Sequence, residues 1–155
     1  MKTYAPKIGA IFYILWGILH IVGGAALLQE LSAGGVRDVL ASLGSAVPAA
    51  ELPAISGGVT GAVVAFFAFN WVWIGLLVLV VGARLNWHNN KIGYWLNLAV
   101  AGASDIGLIV TLLAPGYMAV SDGWPGPLLW LLAAIFSTIG LLNDNSQPAG
   151  QIARV

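Results

Sequence analysis

The chain has 155 residues, of which 59% are hydrophobic and 8% charged, with six basic side chains balancing six acidic ones and no cysteine. A water-soluble domain of this size has too little interior to hide so much apolar surface, and the cancelled charge offers nucleic acid no basic face. Without cysteine there is no thiol catalysis, no disulfide exchange and no thiolate metal site, and no cofactor or metal is expected.

The N-terminus, MKTYAPK, has the charge pattern of a signal peptide, but the apolar run that follows is about 22 residues long, beyond the roughly 7–15 of a signal core. It is expected to stay as a first membrane span, residues 8–29, in which His20 is the one strongly polar side chain before the terminal Gln29. Gly9, Tyr13, Gly17, His20 and Gly24 fall on one helical stripe, and the glycines let a second backbone approach the histidine, so this face should meet protein. Residues 30–59 read as a long extramembrane loop, broken by Gly34-Gly35, Pro48, Pro53 and Gly57-Gly58. Within it Val36, Val39, Leu40, Leu43 and Val47 recur at helical spacing and suit a short amphipathic helix, and the loop is long enough to act as a lid.

The second span, 60–83, carries Asn70 as its strongly polar group, on a face shared with Phe66, Trp73 and Leu77. An amide in hydrocarbon needs partners, so Asn70 is expected to look into the bundle. A tight polar turn, RLNWHNNK, leads to the third span, 92–114, which ends at Pro115-Gly116. Here Asn97 and Ser104 share a stripe with Asp105 at its edge. A central Asp costs about 2.5–3.5 kcal/mol to insert, which offsets most of what about ten strongly apolar residues contribute. Ala99, Ala103 and Gly107 form a small-residue line suited to another helix or a second copy of the chain. The fourth span, 127–142, is short and places Trp130, Ala134 and Ser137 on one face; a polar tail follows.

An even number of spans gathers Lys2, Lys7, Arg84, Lys91 and Arg154 on one side, against Arg37 with Glu30, Asp38, Glu51 and Asp122 on the other. This is the positive-inside pattern for two cytoplasmic termini. Size and layout resemble those of many small bacterial membrane proteins, so a bacterial inner membrane is the expected location. The fold expected is an all-α integral membrane protein, an antiparallel four-helix transmembrane bundle forming a single domain.

The span midpoints fall near positions 18, 71, 103 and 135, which brings His20, Asn70, Asp105 and Ser137-Thr138 to one level if the spans are centred alike. The favoured reading is a cavity at mid-bilayer that holds a lipid or another apolar or amphipathic small molecule. His20, Asn70, Asn97, Ser104, Asp105 and Ser137 would form its polar end, and Trp73 and Trp130 its walls. A membrane isomerase or hydrolase acting on a lipid-like substrate, with Asp105 and His20 as acid and base, is the second reading. The third is an accessory subunit whose polar layer only sets helix register. A void or lipid-shaped occupant beside Asp105 would favour binding. His20 and Asp105 within hydrogen-bond reach of each other or of a shared water, and open to a cavity, would favour catalysis, and a dry layer bonded to itself the accessory role. One in-span histidine excludes a bis-histidine haem within a single chain, and no phosphate loop, zinc-spaced histidine pair or nucleophile elbow occurs.

Overall fold

Long apolar runs with few charges have no means of satisfying their backbone in hydrocarbon except as helices, and helices are what form. The computed structural model describes residues 4–52 and 57–145. Pro53, the tail 146–155 and the basic residues Lys2 and Arg154 lie outside them. Among the described residues there is no strand; the α-helices are α1 (Ala5–Gly34), α2 (Val36–Leu43), α3 (Gly58–Arg84), α4 (Lys91–Leu108), α5 (Val120–Gly123) and α6 (Pro125–Asn145). Four of them, with α4 continued by a π-turn over Ile109–Leu113, are long and apolar enough to cross a membrane.

The boundaries differ from the expected spans in instructive ways. α1 does not stop at Gln29 but runs on to Gly34, because nothing breaks it before Gly35, whose φ of 80° favours glycine. The extra turn is held by Leu31, which packs with Leu27 of α1, Val39 of α2 and Ala68 of α3. α6 has 21 residues rather than about 16, since Pro125, not Pro127, opens it and the helix runs on past Leu142 to Asn145. Between α3 and α4, a 3-10 turn over Asn86–His88, a left-handed Asn89 and the cap of Asn90 reverse the chain. Oδ1 of Asn90 accepts from the N–H groups of Ile92 at 2.9 Å and Gly93 at 3.2 Å.

α1 is the central element. Gly24 meets the Ala68 carbonyl, Gly17 meets Gly75 and Gly82 meets Tyr13, so residue numbers fall along α3 as they rise along α1. A β-carbon on Gly17 would stand 2.6 Å from the Gly75 carbonyl, and one on Gly75 2.7 Å from that of Gly17. The two backbones touch at this crossing, as small residues permit. On another side Pro6 packs against Gly140, Gly9 against Ser137, Phe12 against Phe136 and His20 near Gly126 of α6. Tyr13, Trp16, Val78, Ala101 and Ala133, drawn from all four long helices, form the main core.

The start of α1, the α3–α4 turn and the later part of α6 meet at one end, where the Lys7 ammonium lies 5.7 Å from the Trp87 ring and Asn89 donates to the Gly140 carbonyl at 3.2 Å. At the opposite end the first and third connections are tied together: Ala46 N–H donates to the Tyr117 carbonyl and Ala119 N–H to Ser45 Oγ, both at 3.1 Å. Outward-facing stripes run along each long helix. Ile11, Leu15, Ile18 and Val22 are exposed on α1, Val63, Phe66, Trp73, Leu76 and Val80 on α3, and Leu128, Leu131, Ile135 and Ile139 on α6.

Candidate functional site

α3 and α4 pack closely only near the turn that joins them. There Gly93 sits against Leu85 and Asn86, and Asn97 donates through Nδ2 to the Val78 carbonyl and to Asn86 Oδ1, both at 3.1 Å. Further along, α3 stays on α1 while α4 leans toward α6, where Gly102 receives the Trp130 ring. The gap that opens between them is a cavity of about 370 Å³, walled by Phe67, Trp71, Ile74, Leu108 and Leu112 and bordered by His20, Asn70, Ser104, Asp105 and Thr111. A second, smaller cavity of about 120 Å³ shares His20, Trp71 and Leu108 with it and reaches Asp122, Gly123 and Gly126.

Asp105 is wholly buried. Its Oδ2 accepts from the indole N–H of Trp16 at 2.9 Å, while Oδ1 has no hydrogen-bond partner. Trp16 also organises the histidine. Nδ1 of His20 donates to the Trp16 carbonyl at 2.9 Å, and the imidazole stacks on the indole with centroids 3.6 Å apart and planes 19° apart. That bond uses the Nδ1 hydrogen, so in the neutral ring Nε2 is left as an acceptor. Gly126 closes the site from above: a β-carbon there would lie 2.8 Å from Oδ1 of Asp105 and 3.6 Å from Cε1 of His20. Gly126 is the second residue of α6, so the positive end of that helix dipole faces the carboxylate and offsets part of its charge.

The geometry also shows why α6 ends where it does. From Pro6 to His20 along α1, and from Gly140 to Gly126 along α6, the two helices pair over about 21 Å. Beyond that level the third connection replaces α6, with Met118 and Gly123 buried beside the smaller cavity. α4 enters this region through the π-turn, in which the Ala114 N–H bonds five residues back to Ile109 at 2.7 Å. The π-turn carries Thr111 on the cavity wall, its hydroxyl donating to the Gly107 carbonyl at 2.7 Å. Such turns recur where a helix is bent to serve a site.

Of the residues the sequence singled out, His20, Asn70, Ser104 and Asp105 are brought together around the larger cavity. Asn70 is half-buried, with Nδ2 bonded to the Phe66 carbonyl at 2.8 Å. Asn97 and Ser137 are not part of this group. Asn97 lies eight residues from Asp105, about 12 Å along the helix, and serves the α3–α4 contact. Ser137 lies against Gly9, and Thr138 pairs with the Tyr94 hydroxyl at 3.0 Å, both about 16 Å from the level of Gly126. The assumption that all four helices are centred at one depth fails for α6, which is displaced toward the end that holds the α3–α4 turn. Trp130 braces α4, donating to the Leu98 carbonyl at 3.3 Å, and Trp73 is half exposed on the outer face of α3. The aromatic wall is instead Trp71 and Phe67, 5.4 Å apart, with Trp71 also 5.4 Å from His20. Ala103 and Gly107 of the small-residue line border the cavity, and Ala99 faces outward.

Trp16 is the residue that sequence reasoning passed over. Its signal was present: it stands four positions before His20 and three after Tyr13, on the stripe that the glycines had already marked as facing protein. No protein-family model matches the chain, and no curated protein or solved structure is detectably similar to it, so function must be read from this geometry.

Proposed function

We propose that this is an integral membrane protein whose four long helices form an antiparallel bundle, and that it holds an amphipathic small molecule or lipid in the cavity between α3 and α4. The contact series along α1, α3, α4 and α6 supports the antiparallel arrangement. Continuous exposed apolar stripes support lipid as the surroundings, since in water they would form one large sticky surface. Lys7, Arg84 and Lys91 at the end of the bundle that holds the α3–α4 turn, against Asp38, Glu51 and Asp122 at the other, support termini on the cytoplasmic side of a bacterial inner membrane.

The observation that carries the binding reading is a void lined by Asp105, a buried residue of which one carboxylate oxygen has no partner. An unpaired acceptor in a low-dielectric interior is costly, and a ligand group offered through the cavity would relieve it. The size suits a drug-sized molecule. Acid–base catalysis is less well supported because Trp16, not His20, is the hydrogen-bond partner of Asp105. An accessory role through a self-bonded polar layer is less well supported because Asn70, Ser104 and Thr111 bond only to carbonyls of their own helices.

Gly107 provides a clean test, for a side chain built there meets nothing within 4 Å and would grow into the cavity. Native mass spectrometry of the protein extracted in mild detergent should find a small molecule bound to the wild type and absent from Gly107→Phe at equal yield. A wild-type spectrum without adduct, in lipid extracts and detergent alike, would remove the reading.

A further inference from the structure

The chemistry of the ligand follows from what the two cavities offer and what they lack. Resting on the reading of the α3–α4 gap as a binding site, we infer that its occupant is an amphipathic amine: an apolar body bearing a protonated nitrogen, which Asp105 takes as its counter-charge.

The hydrogen-bonding inventory at the polar end is one-sided. The Ser104 hydroxyl donates to the Val100 carbonyl at 3.1 Å, the Thr111 hydroxyl to Gly107 and the His20 Nδ1 to Trp16, so each has spent its hydrogen on backbone and keeps only acceptor capacity for a ligand. Asp105 Oδ1 is a fourth acceptor, buried and unpartnered. Against these, Asn70 keeps a second amide hydrogen. A site rich in acceptors selects a donor, and an ammonium brings up to three N–H groups with no acceptor to be left unmatched.

Charge narrows the choice further. Among the described residues no lysine or arginine borders either cavity, and Asp122 lines the smaller one as a second carboxylate. An anionic ligand would meet two like charges in a site without a compensating cation. A neutral alcohol would satisfy acceptors yet leave Asp105 facing only the partial positive charge of the α6 terminus. A cation supplies what is missing, and the tilted Trp71 and Phe67 rings beside it add faces that attract positive charge. Asp122, exposed beside the smaller cavity that His20 also lines, adds a second negative charge that attracts cations to this end. Phe67, Ile74, Leu108 and Leu112 line the remainder, which fits an alkyl or aromatic body.

The test uses three probes with one tail: octylammonium, 1-octanol and octanoate, titrated calorimetrically into the protein in zwitterionic lipid nanodiscs, with empty nanodiscs as the blank. Octylammonium should bind at least tenfold tighter than 1-octanol, and octanoate more weakly than either. In Asp105→Asn the preference for ammonium over alcohol should be lost, and in Asp122→Asn, an exposed position, that preference should shrink. Equal affinity of ammonium and alcohol in the wild type would overturn the amine while leaving the cavity reading intact. Binding of none of the three above the blank, or binding of all three unaltered by Gly107→Phe, would instead remove the cavity reading itself.

Discussion

The indole N–H of Trp16 reaches Oδ2 of Asp105 at 2.9 Å, joining the first and third long helices across 89 positions of sequence. The same tryptophan holds His20 by its carbonyl and by its ring face, so one residue fixes both titratable groups of the site. Trp16→Phe keeps the stacked ring and removes only the donor. The loss of stability should be about 1–3 kcal/mol, because Asp105 is then left with both oxygens buried and unpaired. A double-mutant cycle with Asp105→Leu, read from denaturant unfolding in mild detergent, should return a coupling of about 1 kcal/mol. Additive effects of the two substitutions would mean the bond contributes nothing.

Gly126 is a position where absence of a side chain is itself the feature. A methyl there would press on Oδ1 of Asp105 at 2.8 Å, and the carboxylate cannot retreat without straining its bond to Trp16. Gly126→Ala should therefore weaken octylammonium binding by roughly tenfold, about 1.4 kcal/mol, with a smaller change in unfolding midpoint. An unchanged affinity in the same calorimetric titration would show that Oδ1 does not face the ligand.

The tryptophans of α3 separate what the sequence could and could not reveal. Both Trp71 and Trp73 lie within a uniformly apolar helix, so periodicity of hydrophobicity marks no inner face, and the choice of the Asn70–Trp73 stripe had only one amide to guide it. The inner face is set by Ala68, Gly75, Val78 and Gly82, small or β-branched residues that let α1 approach, and Trp71 belongs to its edge. Trp71→Leu should lower ammonium affinity several-fold, and Trp73→Leu should leave it within about twofold. Reversed effects would place the cavity on the other side of α3.

Four apolar runs, the turn at 84–91 and the cost of placing a carboxylate at position 105 were all legible, because length, charge and insertion cost act locally. Depth was not. Whether Ser137 shares a level with Asp105 depends on where α6 starts relative to α1, which is decided by the Pro6–Gly140 and His20–Gly126 contacts, far apart in sequence. At its actual level Ser137 is 4% exposed and its hydroxyl has no partner. Ser137→Ala removes an unsatisfied polar group and should be neutral or stabilising by up to about 1 kcal/mol, seen as a raised thermal midpoint in detergent. A marked loss of stability would mean that a buried water or an alternative rotamer satisfies the hydroxyl.

Gly75 tests whether the bundle depends on backbone contact at the α1–α3 crossing. An alanine there would put its methyl 2.7 Å from the Gly17 carbonyl and 3.0 Å from Cβ of His20, and neither atom belongs to a flexible side-chain end. The helices would have to separate by a fraction of an ångström, which loosens the Tyr13–Trp16–Val78 core and shifts His20 relative to Trp71. Gly61, on the same helix but with only a Val36 methyl at 3.8 Å, is the matched control. Gly75→Ala should cost about 1–3 kcal/mol, as overpacking does. Gly61→Ala should be stabilising by up to about 1 kcal/mol, since alanine favours the helix. Because His20 moves with α1, Gly75→Ala should also weaken ligand binding even though the residue borders neither cavity. Equal unfolding midpoints for the two variants would show that α1 and α3 are held by their side chains and not by the glycine contact.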